Sequence, residues 1–276
     1  MADHYARGGL ITAIQAAIFR SGKTPQTVTA DDLAAIDEFH IGGRLATREL
    51  IERIPLTPTD HLLDVGCGLA GTAQFAAAKT GCRVSGIDLT RDYVEAGTML
   101  CKWLGPDDRV SLHHASALAI PFQDGTFSAA CMLHVGMNVQ DKAKLFLEIS
   151  RVLLPGSMLG LYDVMREADG ELAYPLPWAT KPDDNAIASP AEYRKALRAA
   201  GFEIMCERSR KTLALEHFAR QRAIGSSAAA PLGLHLLMGE RRQDQVSNMI
   251  SGLARDVRMR DVLCGCDDLE GLMQSL

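Results

Sequence analysis

Apolar and polar positions along the chain follow two rhythms, and the change between them falls near residue 58. Residues 8–22 repeat apolar side chains at helical spacing and stop at Ser21-Gly22. A polar stretch with Pro25 follows, after which Asp31-Asp32 are placed to cap a short helix running towards Phe39. His40-Ile-Gly42-Gly43 interrupts, and a second helix over about 44–54 must end before Pro55 and Pro58. Beyond that point short apolar runs alternate with amphipathic stretches. His61–Val65, Arg83–Ile87, Arg109–His114, Phe127–Leu133 and Met158–Val164 read as strands. Between them, Ala70–Lys79 is an Ala-rich helix closed by Gly81, Thr90 opens a helix reaching about Leu104, and Lys142–Leu153 is amphipathic. Residues 165–190 break the rhythm with Pro175, Pro177, Pro182 and Pro190. Ser189-Pro190 then starts a helix, Gly201-Phe-Glu-Ile204 resembles the start of a strand, and helical spacing returns near 212–224 and 240–256. Ser226–Ala230 reads as a turn or loop of small residues. Strands alternating with helices predict an α/β fold: a three-layer Rossmann-like sandwich with a mostly parallel sheet. The helical segment 1–57 forms a cap or lid, residues 58–276 form the main domain, and the proline-rich stretch is a loop insertion.

Composition narrows the classes without changing this picture. The 276 residues are 47% hydrophobic and 23% charged, enough for a sizeable core without disulfides or metals. A net charge of −5 offers no strongly basic field for nucleic acid or anionic lipid. Seven cysteines without a CxxC pair suit a reducing compartment. Cys264-Gly-Cys266 with Asp267 and Asp268 lacks the second ligand pair a structural zinc needs, so no metal is expected. No apolar run approaches the ~20 residues of a membrane span, and the N-terminus lacks a signal-peptide pattern. A cytoplasmic protein is the expectation, with a homodimer left open.

The candidate chemistry begins at the first strand. Gly66, Gly68 and Gly71 spell GxGxxG between a strand and a helix, which by itself suits dinucleotide enzymes as well as others. Asp64, two residues before the first glycine, decides more. A carboxylate at that strand end would repel a pyrophosphate, whereas S-adenosylmethionine brings a sulfonium and an ammonium and no phosphate. Asp88 ends the second strand, where a carboxylate accepts ribose hydroxyls of either cofactor. A nicotinamide-dependent oxidoreductase is therefore the rival class, and Asp64 argues against it.

With these residues in place, residues 61–164 resemble a class I methyltransferase domain of the ubiquinone/menaquinone C-methyltransferase type. Asp37-Glu-Phe-His-Ile-Gly-Gly-Arg44 and His134-Val-Gly-Met-Asn138 are similar to stretches of bacterial N-methyltransferases of the sarcosine/dimethylglycine type. The resemblance implies S-adenosylmethionine as donor, S-adenosylhomocysteine as product, and a seven-stranded sheet in the order 3-2-1-4-5-7-6 with strand seven antiparallel. Arg258–Cys266 is the expected strand seven. It also implies that Asp64, Gly66 and Gly68 meet the methionyl part, Asp88 the ribose and Ser116-Ala117 the adenine side, with Cys67 and Leu89 among the donor-binding residues. Leu133 and His134 would line the donor's methyl side, and His40 would belong to the lid. Ser116 stands where the family commonly has an acid.

The acceptor is expected to be a small molecule, with an amine nitrogen favoured over a hydroxyl or carbon on a quinone-like or polyketide-like ring. Its candidate contacts are His134, Tyr174, Trp178 and Arg166. His134 reads as base or hydrogen-bond partner, or as a buried structural histidine. Tyr174-Pro-Leu-Pro-Trp178 offers aromatic faces in a stiff loop, and Arg166 could pair an acceptor carboxylate, as could Arg44. Asn138 is expected to cap the next helix together with Asp141.

Overall fold

In the computed structural model the described residues are 9–105, 108–224, 231–239, 241–255 and 257–266. Three helices, α1 (Leu10–Arg20), α2 (Ala30–Asp37) and α3 (Arg44–Ile51), precede the sheet. The cap of α2 differs from expectation. Thr29 takes that place, accepting from Asp32 N while the Asp32 carboxylate accepts from Thr29 N, so Asp32 closes a capping box as its third residue.

Seven strands follow in the order β3-β2-β1-β4-β5-β7-β6. They are β1 (His61–Val65), β2 (Arg83–Asp88), β3 (Val110–His114), β4 (Phe127–Leu133), β5 (Leu153–Arg166), β6 (Phe202–Ser209) and β7 (Val257–Cys266). The pairs β1–β2, β1–β4, β2–β3 and β4–β5 are parallel, while β7 runs antiparallel to both its neighbours. The intervening helices are α4 (Gly71–Thr80), α5 (Arg91–Leu104), α6 (Lys142–Val152), α7 (Pro190–Ala199), α8 (Lys211–Ile224), α9 (His235–Met238) and α10 (Arg242–Arg255). This is the expected seven-stranded sandwich, and the family order of strands holds.

The two faces of the sheet are legible in alternate residues. Leu62, Cys131 and Tyr162 join a core with side chains of α3, α4, α8 and α10. Leu63, Met132 and Leu161 join another with α6 and α7. A third apolar cluster ties α1, α2 and α5 together with Leu232 and Leu237. Period-two alternation with both faces apolar is what a buried parallel sheet requires.

Several local readings shift. Strand β5 begins directly at the end of α6, with Leu153 already paired to Phe127 before an irregularity restores register at Met158. Thr90 occupies the N-cap position of α5 without a side-chain cap; its amide donates instead to Asp88 Oδ1 at 2.8 Å. Asp141 caps α6 alone, accepting from Lys144 N at 2.9 Å. Asn138 does not cap: it lies in the 3₁₀ turn Gly136–Asn138, buried. The short helix α9 has no counterpart in the sequence reading, since four residues carry too little periodicity. Ser226–Ala230, Asp267 and Asp268 lie outside the described residues.

Candidate active site

The carboxyl ends of β1, β2 and β4 open into a cavity of about 480 Å³. Its floor is the turn after β1. Gly66 takes φ +74 and Gly68 φ +53, left-handed conformations that favour glycine. At Gly66 a Cβ would also collide with Val135 Cγ2, so backbone and close packing both demand glycine. Gly71 serves differently. It opens α4 and stands outside the cavity lining, with the Asp37 carbonyl so near that a Cβ would clash. Gly66→Ala is accordingly expected to weaken S-adenosylhomocysteine binding at least about tenfold, read by calorimetry, because strain of about 1–3 kcal/mol lands on the floor itself.

Two carboxylates flank that turn. Asp88 Oδ2 accepts from Gly68 N at 3.0 Å and its Oδ1 from Thr90 N, which fixes the group at the strand end. Burial raises its pKa. Asp64 is 2% exposed and lines the cavity. Its Oδ1 meets the Cys131 thiol at 3.6 Å, whereas its Oδ2 is buried with no hydrogen-bond partner. Burial pushes its pKa up to about 7, the Cys131 thiol opposes this, and the charges of Asp88 and Glu38 add to it. A buried carboxylate oxygen without a donor is a place prepared for a cation.

The N-terminal helices cover the cavity and carry a second buried network. Arg44 Nε lies 2.8 Å from Glu38 Oε1 and its Nη2 3.7 Å from Asp37 Oδ1. Thr47 Oγ1 donates to Glu38 Oε2 at 2.5 Å and lies 3.1 Å from His40 Nε2. Arg44 is thus engaged with its own segment, with its guanidinium over Phe75, and does not reach the cavity. His40 does line it, as expected of a lid residue, and burial lowers its pKa to about 4.

At the end of β4 stands His134, at φ +56, an uncommon conformation for a side-chain-bearing residue. Its amide donates to Tyr162 O at 2.8 Å, and its ring stacks on Tyr162 at 5.5 Å with 30° between planes. Nε2 is buried with no hydrogen-bond partner. Burial, together with His40 and His217 nearby, drives its pKa well below 6.5, so the imidazole is neutral.

Of the residues anticipated, Asp64, Gly66, Cys67, Gly68, Asp88, Leu89, Ser116, Ala117, Leu133, His134, His40 and Trp178 all line this one cavity. Ser116 is occupied locally, its Oγ accepting from Leu118 N at 3.1 Å. Two acceptor candidates stand elsewhere. Arg166 donates from Nε to Ala168 O at 3.0 Å and from Nη2 to Gly170 O, closing its own loop. Tyr174 lies behind the wall, its hydroxyl accepting from Asn185 Nδ2 at 2.9 Å. A hydrogen-bonding side chain on a loop gives no sequence sign of whether it faces a cavity or its own backbone. Tyr93, His217, Phe218, Val246 and Met249 also line the cavity and were not singled out in the sequence. They come from helices whose docking no local pattern encodes. Among the described residues no cluster of three or more His, Cys, Asp or Glu is placed to hold a metal. Nor is any described helix long and apolar enough to cross a membrane.

Residues 63–161 match the family described as a methyltransferase domain. The sarcosine/dimethylglycine N-methyltransferase of Halorhodospira halochloris is 28% identical over 57% of this chain and 58% of its own length. The 27-O-demethylrifamycin SV methyltransferase of Amycolatopsis mediterranei is 30% identical over 63% of this chain and 64% of its own. The chain spans about half the length of the first curated relatives it matches. In structure it resembles geranyl diphosphate C-methyltransferase from Streptomyces coelicolor, solved with S-adenosyl-L-homocysteine, at a TM-score of 0.62 and 21% identity over 80% of this chain and 78% of that one.

Proposed function

We propose that the protein, whose residues 63–161 match the methyltransferase-domain family, transfers a methyl group from S-adenosylmethionine to a hydroxyl oxygen of a small molecule. The observation that carries the donor assignment is the unpartnered Oδ2 of Asp64 in the cavity floor. A nicotinamide dinucleotide would set phosphate against that carboxylate, while a cationic donor supplies the missing partner. The donor contributes an electrophilic methyl on a sulfonium.

The chain's own residues do the rest. Asp64 holds the amino-acid end of the donor through charge. Asp88, already fixed by the amides of Gly68 and Thr90, retains lone pairs for the ribose hydroxyls. The glycine turn lets the backbone come close. His134 receives the proton of the acceptor hydroxyl on Nε2 as the oxygen–carbon bond forms and the carbon–sulfur bond breaks. The lid of Ile36–Ile41 excludes water from the reacting line.

The histidine also moves the choice of acceptor atom away from the amine favoured on sequence resemblance. An amine needs only a neutral lone pair, whereas a hydroxyl needs a proton acceptor, and His134 is neutral, buried and unpartnered at the cavity wall. The relatives methylate nitrogen, oxygen or carbon by their names, so the site chemistry has to decide. The test is calorimetric binding of S-adenosylhomocysteine followed by methyl transfer to phenols and amines. Micromolar binding with phenol turnover is the expected result. Stabilisation by NADH but not by S-adenosylhomocysteine overturns the donor assignment, and turnover of amines alone overturns the oxygen assignment.

A further inference from the structure

We propose that the half of the cavity beyond His134 is an acceptor subsite for a neutral, hydrocarbon-rich, ring-bearing molecule whose reactive polar group is a hydroxyl. This rests on the methyltransferase reading above and names the substrate class of the same site.

The cavity divides by charge. Of its carboxylates, Asp64 and Asp88 flank the glycine turn, Asp37 ends α2, and Asp141 caps α6. The other wall is built from Ile41, Met137, Trp178, Phe218, Val246 and Met249. All of these pack into the apolar cluster that also holds Leu133 and Tyr162. Three imidazoles, those of His40, His134 and His217, line the cavity with these side chains, and burial lowers the pKa of each, so they are neutral at neutral pH. Among the described residues lining the cavity there is no arginine or lysine. A zwitterionic or phosphorylated acceptor would leave its anion unpaired there, which an apolar wall penalises heavily. A flat hydrocarbon instead gains aromatic contact with Trp178 and Phe218, and Met137 and Met249 adapt to its outline.

The wall is also set before any acceptor arrives. Trp178 Nε1 donates to Asn185 Oδ1 at 3.0 Å, and Asn185 Nδ2 donates to the Tyr174 hydroxyl. Asn248 Nδ2 of α10 donates to Pro175 O at 3.0 Å, which joins the loop to the helix that carries Val246 and Met249. Loop and helix therefore present one face, and ordering it takes little from the binding free energy. The proton of the acceptor hydroxyl goes to His134 Nε2, and no cation is needed to neutralise the acceptor oxygen.

The test uses the full chain with S-adenosylmethionine and three acceptors, namely 2-naphthol, sarcosine and phosphoethanolamine. Methylation of 2-naphthol with sarcosine and phosphoethanolamine at least 100-fold slower in kcat/KM is expected. Met249→Gln places an amide of similar size in the wall and should raise the KM for 2-naphthol about tenfold. Affinity for S-adenosylhomocysteine, measured on the same sample, should stay within twofold, which certifies that the variant is folded. Trp178→Phe provides a second variant and should raise the same KM. Preferred turnover of sarcosine or phosphoethanolamine overturns the subsite while methyl transfer stands. Binding of S-adenosylhomocysteine without binding or methylation of 2-naphthol overturns it too. Loss of S-adenosylhomocysteine binding in the unaltered protein would instead overturn the methyltransferase reading on which it rests.

Discussion

Asp64→Asn is expected to abolish donor binding and, at pH 8, to make the empty protein more stable. The two effects share one cause. In the folded chain burial raises the Asp64 carboxyl from 3.8 to about 7, whereas in the unfolded chain it titrates near the ordinary value. Folding thus takes up a proton between these values. The stability carried by the protonated form is complete below about pH 4 and is lost as pH rises through about 7. At pH 8 the folded chain holds an ionised, desolvated carboxylate, at a cost of at most about 4 kcal/mol. Asparagine never ionises, so its melting midpoint at pH 8 should exceed that of the parent by roughly 2 °C or more per kcal/mol recovered. At pH 4 the difference should largely vanish, because Asp64 is then protonated as well.

Binding runs the other way. The donor's cation requires the ionised form, so the affinity of the unaltered protein for S-adenosylmethionine should weaken about tenfold for each pH unit below 7. The asparagine variant should lose at least about 100-fold at pH 8, since one side of a buried charge pair is gone. Melting curves at pH 4 and 8 with calorimetry across that range check both parts. Equal melting midpoints at pH 8, or unaltered donor affinity, would contradict the assignment. Destabilising charge in the empty cleft is what a preorganised cation site must carry.

The part of the site proposed to hold the donor was legible in the sequence because its signals are local. A strand end, two left-handed glycines and two acids separated by one βα unit are all encoded within residues 64–88, and the fold needs only right-handed parallel crossovers to bring them together. Strand β7 was anticipated from the resemblance and from Arg258–Cys266, and Val257–Cys266 pairs antiparallel to β5 and β6 as that order requires. The part proposed to take the acceptor was not legible. His134 and Trp178 were found because each follows or stiffens a recognisable element, but Phe218, Val246 and Met249 sit on helices whose apolar positions read the same whether they face a core or a ligand. Arg166 and Tyr174 show the opposite limit. Their chemistry suited an acceptor, yet backbone carbonyls at 168 and 170 and the amide of Asn185 claimed them. Thr29 and Asp32 show the smallest scale of the same effect, where a one-turn shift of the cap changes which side chain does the capping.

His134→Gln is expected to lower kcat by about 10²–10⁴ while leaving S-adenosylhomocysteine affinity unchanged. Glutamine keeps a hydrogen-bonding side chain of similar reach but cannot take up the proton. The left-handed φ of +56 is retained by a neighbourhood that over-determines it, namely the hydrogen bond its amide donates to Tyr162 O and the stack on the Tyr162 ring. Strain of about 1–3 kcal/mol kept at one cavity residue is the pattern of a group held for its chemistry. Because burial drives the pKa of His134 well below 6.5, its imidazole is already neutral at pH 6.5. Turnover at saturating donor should therefore stay level from pH 8 down to about 6.5. The donor KM should rise over the same interval, as Asp64 takes up its proton. That separation assigns the two ends of the cavity independently. A base-assisted transfer also depends on how acidic the acceptor is, so the glutamine variant should lose less with a nitrophenol than with an unsubstituted phenol. Equal losses for both phenols would make His134 a packing residue, and a parallel fall in donor affinity would make it part of the cleft floor. A loss that shrinks as the hydroxyl grows more acidic is the outcome that only a proton acceptor produces.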